Sequence, residues 1–179
     1  NFDKPKDGSC SLLQISDYYN IINNCNFYIA NADTSAVKSN VKYMLPGYAQ
    51  VQSIRAWAYL QLVKNYGSVP FITTPVTNLG VIKDFDYANN QATKDNLIDL
   101  LLEEGLEKYV DTDYPKYGVW DNGDVKISAE LCFIPVRLVI ADLYLLRGNG
   151  ESDYRNAARY YYEYLNKTFS AMTRQYAMA

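Results

Sequence analysis

The sequence predicts an all-α fold in which paired helices stack and long loops connect the pairs, within one domain spanning residues 1–179. Apolar spacing is the first ground. Side chains recur at Val51, Ile54, Ala58 and Leu62, widened by Trp57 and Leu60, which is the three-and-four period of a helix with one buried face. The same period returns at Ile21, Ile22, Cys25, Tyr28, Ile29 and Ala32, and again at Ile134, Leu138, Ala141 and Leu145. The second ground is the scarcity of strand signals. The clearest extended run, Phe71 to Val76, follows Pro70 and contains Pro75, and proline confines such a run to a loop or an edge strand.

Composition bounds the function. At 179 residues with 49% hydrophobic side chains the chain can bury a core, and no apolar run approaches the roughly 20 residues of a membrane helix. The chain starts at Asn1 without a cleavable export signal, so it reads as processed or truncated. A net charge of -3 with no basic cluster argues against a nucleic-acid partner. Histidine is absent, which removes Ser-His-Asp and Cys-His catalysis and any His-ligated metal. Cys10, Cys25 and Cys132 are too widely spaced for a zinc site; they fit one disulfide with a thiol left over, or three buried thiols. No catalytic, metal or cofactor motif is present. The outlier is tyrosine, at 18 residues, whose flat face and polar tip suit both helix packing and sugar rings.

Each element follows from local signals. Residues 1–11 are polar with an Asp7-Gly8 turn, and a first helix runs from Asp17 to about Ala32 with Ser11 or Ser16 as its cap. Its repeated asparagines are locally unfavourable in a helix and on residue type alone face solvent. Asp33 to Gly47 connects to the central helix, with Pro46-Gly47 as a break. Gly67 ends that helix, because a residue without Cβ caps it cheaply, and Pro70 prevents its return. Thr77 to Thr93 is a long polar excursion carrying Phe85 and Tyr87. Thr93 caps the next helix, which places Leu97, Leu100, Leu101, Leu102 and Leu106 opposite a solvated acidic face of Glu103, Glu104 and Glu107. Tyr109 to Asp124 is an aromatic loop with a turn at Asp121-Asn122-Gly123-Asp124 that lacks the twelfth-position Glu of a calcium loop. A helix opens at Ser128, with Pro135 near its regular start, and runs to Arg147. Gly148-Asn149-Gly150 ends it, and a last helix from Ser152 or Asp153 buries Ala157, Ala158, Tyr161, Tyr162 and Leu165.

The run Ala141 to Asn149 followed by Tyr154 to Tyr161 resembles a tetratricopeptide hairpin, where small Ala and Gly let helices approach and Tyr fills the gap between successive pairs. The run Arg55-Ala56-Trp57-Ala58-Tyr59-Leu60-Gln61-Leu62-Val63-Lys64-Asn65-Tyr66-Gly67-Ser68-Val69-Pro70-Phe71 resembles the signature of the SusD/RagB family, and Tyr18 to Ile29 is similar to the stretch that precedes it there. The resemblance covers roughly Tyr18 to Leu165. It implies a helical-repeat, TPR-like SusD-type fold of which this chain is an N-terminal fragment, and it makes Asn23 or Asn26 a buried anchor between helices.

The family resemblance also implies a role. Its members are Bacteroidetes outer-membrane lipoproteins, exposed at the cell surface and held by an N-terminal lipid anchor, which the resemblance places outside this sequence. They bind an oligosaccharide or polysaccharide and deliver it to a SusC-like TonB-dependent porin. On that basis the chain is a binding protein and not an enzyme. Phe2, Tyr18 and Tyr19 occupy the stretch where the family places ligand contacts; Tyr114, Tyr117 and Trp120 are a second group, chosen for aromatic density. The alternative is a helical-repeat scaffold that binds a protein and no glycan. A carboxylate-pair glycosidase needs two acids flanking one bond, and the acids here lie on helix faces and turns.

Overall fold

A computed structural model describes residues 14–115, 119–121, 126–128 and 133–176, and the side chains of 14–115 and 133–167 among them. Most of these residues are helical, as expected, and short antiparallel ladders are added to the helices. In chain order the elements are α1 (Ile15–Asn31), α2 (Leu45–Tyr66), β1 (Val69–Pro70), α3 (Leu79–Lys83), β2 (Gln91–Ala92) and α4 (Leu97–Glu103). A 3-10 turn (Leu106–Tyr109), β3 (Val119–Asp121), β4 (Lys126–Ser128), α5 (Val136–Arg147) and α6 (Gly150–Tyr176) follow. β1 pairs with β2 through Val69 opposite Ala92, and β3 pairs with β4 through Trp120 opposite Ile127.

The hub is α2, which packs against α1, α4, the 3-10 turn, α5 and β1. Neighbours on several sides explain why its buried residues are not one stripe. Gln52, Ser53, Arg55, Ala56, Ala58, Tyr59, Leu60, Leu62 and Val63 are all buried, whereas Val51, Ile54 and Trp57 of the expected stripe are half-buried. Small and polar side chains fill positions that a search for large apolar residues passes over. The helix also begins earlier than its sequence suggests. Pro46 lies in the first turn, where its missing N–H is not needed, so Pro46-Gly47 starts α2 instead of breaking the chain. At the other end the Gly67 N–H donates to the Val63 carbonyl at 2.9 Å, with φ at 81°.

The expected helix start at Ser128 is incorrect: Ser128 lies on β4 and α5 begins at Val136. Pro135 disfavours helical backbone at Ile134, and α2 captures the backbone there. The Ile134 N–H donates to Gln50 Oε1 at 3.1 Å, and the Ser53 hydroxyl donates to the Ile134 carbonyl at 2.7 Å. The buried face of α5 is likewise rotated. Val136, Val139, Ile140, Ala141 and Leu143 are buried, while Leu145 is exposed, because α2 and α6 cover different sides of this helix.

On α6 the seam against α5 is Asp153, Ala157 and Tyr160, at spacings of four and three. Of the residues expected to be buried there, Ala157 is; Tyr161 is half-buried; Ala158, Tyr162 and Leu165 face outward. The turn between the helices places Gly148 in the left-handed region at φ 58°. Arg147 then ties three helices together. Its Nη1 donates to both Asp99 carboxylate oxygens at 2.8 and 2.9 Å, and its Nε and Nη2 donate to Asp153 at 2.8 and 2.7 Å. The Asn149 N–H also donates to Asp153, at 2.8 Å. The acidic face of α4 and the 3-10 turn is not wholly solvated either: Glu104 pairs with Arg55, and Glu107 accepts from the Tyr160 hydroxyl.

The hydrogen bonds from Arg147 and the Asn149 N–H hold the Asp153 carboxyl below its usual range. A carboxylate depressed on folding stabilises the protein above its unfolded value of about 3.9 and loses that contribution as pH falls through the folded value. Asp153→Asn is therefore expected to cost about 2 kcal/mol at pH 7, in the range for hydrogen bonds to charged groups. The gap between wild type and variant should narrow below about pH 4. Urea denaturation at pH 7 and pH 3 reads both; a gap that stays constant with pH contradicts the assignment.

Candidate functional site

Tyr19, Ile22, Asn23 and Asn26 share one face of α1, at spacings of three, one and three. That face looks onto residues 70–76, which run extended after β1. Backbone pairing with the β2 side ends at the Phe71 N–H, which donates to the Asn90 carbonyl at 3.0 Å, and towards α1 and α2 the strap they form is held by side chains. The Tyr19 hydroxyl donates to the Pro70 carbonyl at 2.8 Å. The Asn26 amide donates to the Ile72 carbonyl at 2.9 Å and the Thr74 carbonyl at 3.3 Å. Asn23 holds Val76 twice, accepting its N–H at 2.7 Å and donating to its carbonyl at 3.2 Å. From α2, the Tyr59 hydroxyl accepts the Ile72 N–H at 2.7 Å and donates to the Ile72 carbonyl at 2.8 Å. The bonded residues are 70, 72, 74 and 76, the alternation of an extended chain.

Asn26 is buried and its amide is oriented from behind. Its Oδ1 accepts from Arg55 Nη1 at 3.0 Å, which leaves Nδ2 facing the strap. Asn26 is thus a buried anchor between α1 and α2 as well as the clasp of the strap, and Asn23 anchors α1 to the strap alone.

Between α1 and the strap lies an open cleft of about 320 Å³. Its floor is Ile22, Pro70, Ile72 and Val76, and its outer wall comes from residues 77–90 through Ile82 and Tyr87. The outer wall is locally stapled. Asn78 Oδ1 accepts the Gly80 N–H at 2.8 Å and caps α3, and Asp86 Oδ1 accepts the Ala88 and Asn89 N–H groups at 3.2 Å. Phe85 meets Tyr87 edge to face at 4.9 Å, which sets the Tyr87 ring at the rim. Burial, and secondarily Tyr87, pushes the Tyr19 hydroxyl above its ordinary value, so it stays a neutral donor. Cys25, one turn from Ile22, is a free buried thiol pushed up to about 11 by burial, which makes it a packing group at neutral pH.

The residues lining the cleft are Tyr, Asn, Ile, Pro and Val, none of them charged and none a nucleophile at neutral pH. The arrangement offers apolar and aromatic contact with a polar edge at Asn20. Among the described residues, no group of three or more Cys, Asp or Glu is placed to hold a metal, and no helix is long and apolar enough to cross a membrane.

Of the residues nominated from sequence, Tyr19 lines the cleft. Tyr18 does not; it packs half-buried against the core. Tyr114 lies with Phe133 at a ring separation of 5.5 Å and is likewise not a cleft residue. Trp120 is on β3, not in a loop, with its side chain outside the described residues, as are Phe2 and Tyr117. Sequence reasoning missed Tyr87 and Ile82 as site residues, although the length of the excursion carrying them was a signal. It also missed Asn20, Ile72 and Val76. No family model matches the chain, and no curated protein or solved structure is significantly similar to it.

Asn26→Ala would leave the Thr74 carbonyl and one Arg55 nitrogen without their present partner, while the Ile72 carbonyl keeps the Tyr59 hydroxyl. At about 1–3 kcal/mol for each buried group left unpaired, with partial rescue by water, a loss of about 3 kcal/mol is expected. Exposed Asn20→Ala should lie within about 0.5 kcal/mol of wild type. Chemical denaturation measures both, and hydrogen exchange at the Ile72 and Val76 amides should quicken in the Asn26 variant alone.

Proposed function

We propose that this chain is the N-terminal helical portion of a SusD-like surface lipoprotein, built on TPR-like helix pairs. In this reading it binds a nutrient glycan outside the outer membrane and passes it to a SusC-like TonB-dependent porin. The observation that carries the reading is the uncharged, aromatic-edged cleft beside Tyr19, at the start of the helix where the family resemblance places ligand contacts. Three features support it. The signature residues 55–71 form the second half of the hub helix, its glycine cap and the start of the strap, where Pro70 lines the cleft. The lining supplies faces for stacking sugar C–H surfaces on Tyr19 and Tyr87, and Asn20 at the rim can read a hydroxyl. The α5–α6 hairpin supplies a rigid support of the repeat type.

The scaffold reading has one observation in its favour. Tyr154, Ala158, Tyr162 and Leu165 form an exposed stripe along α6, at spacings of four, four and three, which suits a packed partner more than a sugar.

Calorimetric titration with soluble polysaccharides separates the two. The glycan reading expects heat with at least one polysaccharide, weakened roughly tenfold or more in Tyr87→Ala and unchanged in Tyr114→Ala. Tyr87 is exposed, so its loss leaves the fold intact. Absence of heat with every sugar, together with saturable binding of a protein partner abolished by Tyr162→Glu, would favour the scaffold.

A further inference from the structure

We infer that the interior of the cleft takes a ring-sized, uncharged apolar group, an aryl or branched aliphatic substituent, and not a bare polyhydroxylated ring. This rests on the reading of the cleft as the ligand site, but not on the ligand being a sugar.

Most polar atoms that face the cleft are already bonded within the protein. Tyr19 Oη, Asn23 and Asn26 are all engaged inside the protein, on the Pro70, Val76, Ile72 and Thr74 backbone and on Arg55. Redirecting any of them to a ligand hydroxyl would release a strap carbonyl from its partner. Buried polar groups left unpaired are strongly disfavoured, so these side chains are poor readers of a sugar. A hydroxyl carried into the interior would find little to replace the water it gave up.

What remains inside is mainly hydrocarbon: Ile22, Pro70, Ile72, Val76 and Ile82, with the Tyr87 ring beside them. Such a surface rewards a group that needs no hydrogen bond. Size agrees. The cleft holds about 320 Å³, and an apolar cavity of roughly 150 Å³ already accepts benzene. Charge agrees as well: no lining residue carries one, so a charged group would enter unpaired. Of the groups still open to a hydroxyl, Asn20 and the Tyr87 phenol sit at the exposed edge, and inside, among the described side chains, only the second Asn23 amide N–H is left beyond its pair with Val76. The geometry therefore divides the ligand into an apolar portion inside and a polar portion outside.

The test uses two glycosides that share a sugar and differ in the aglycone, phenyl β-glucoside and methyl β-glucoside, with the protein labelled at isoleucine methyls. Phenyl β-glucoside should shift the Ile22, Ile72 and Ile82 methyls and leave those of Ile98 and Ile140, which lie in the core away from the cleft, unmoved. It should bind roughly tenfold or more tightly than methyl β-glucoside. Ile82→Ser and Tyr87→Ala, both at exposed positions, should each weaken the phenyl glycoside and keep the folded spectrum. Equal binding of the two glycosides, or cleft methyls unmoved by either, overturns the inference. If either result comes with polysaccharide heat, the glycan reading survives without it. Cleft binding of the phenyl glycoside with no polysaccharide heat upholds the inference and removes the glycan reading.

Discussion

A guanidinium without access to water lies at the centre of this protein. Arg55 is fully buried on α2, and it is held by Asn26 on α1 at 3.0 Å, Gln52 on its own helix at 2.9 Å and Glu104 after α4 at 3.0 Å. Burying a cation is expensive unless its hydrogen bonds and charge are both answered. Glu104 answers the charge from a position that still reaches solvent, with 37% of its side chain exposed, which spares the pair part of the desolvation of a second ion. The neutral amides of Asn26 and Gln52 take one N–H of each terminal nitrogen, and the buried Nε is left without a partner among the described residues. Because these partners come from separate parts of the chain, the arrangement forms only when α1, α2 and the end of α4 are together.

The same network shapes the cleft. Arg55 takes the oxygen of the Asn26 amide, so the nitrogen must point the other way, into the strap. Tyr59, one turn along α2, grips the strap at the same residue, Ile72, through both its N–H and its carbonyl. Side chains hold residues 72, 74 and 76 of the strap, while backbone pairing with the 77–90 excursion reaches as far as the Phe71 N–H, which donates to the Asn90 carbonyl at 3.0 Å. The way the buried charge is satisfied thus fixes the Asn26 side of the cleft.

Farther out the constraints weaken. The excursion 77–90 is fixed at its ends, by Asn23 on Val76 and by the β1–β2 ladder, while α3 between them buries no residue. The residues that complete the site, Ile82 and Tyr87, therefore sit on the least embedded part of its wall. At the far side of the hub, Arg147 repeats the logic of Arg55 near the surface, joining α4, α5 and α6 through carboxylates alone.

Helical spacing and punctuation in the sequence were enough to determine that the chain is mainly helical, that Gly67 and Gly148 end helices, and that residues 71–76 are extended. Those are local matters, decided by Cβ sterics and by the period of the apolar residues. Which face each helix buries was legible only in part. On α5 and α6 the packing of neighbours on more than one side rotated the buried seam away from Leu145, Tyr162 and Leu165. Of the site, Tyr19 was legible from its position, whereas Asn26 reads as helix-weakening on residue type, and the resemblance that made Asn23 or Asn26 an anchor gave no partners; those are Ile72, Thr74 and Arg55. Those partners lie 46, 48 and 29 residues away, so no local pattern encodes them. Hydrogen-bond satisfaction of buried groups is a property of the assembled structure, and it alone decided where the cleft is and what surface it offers.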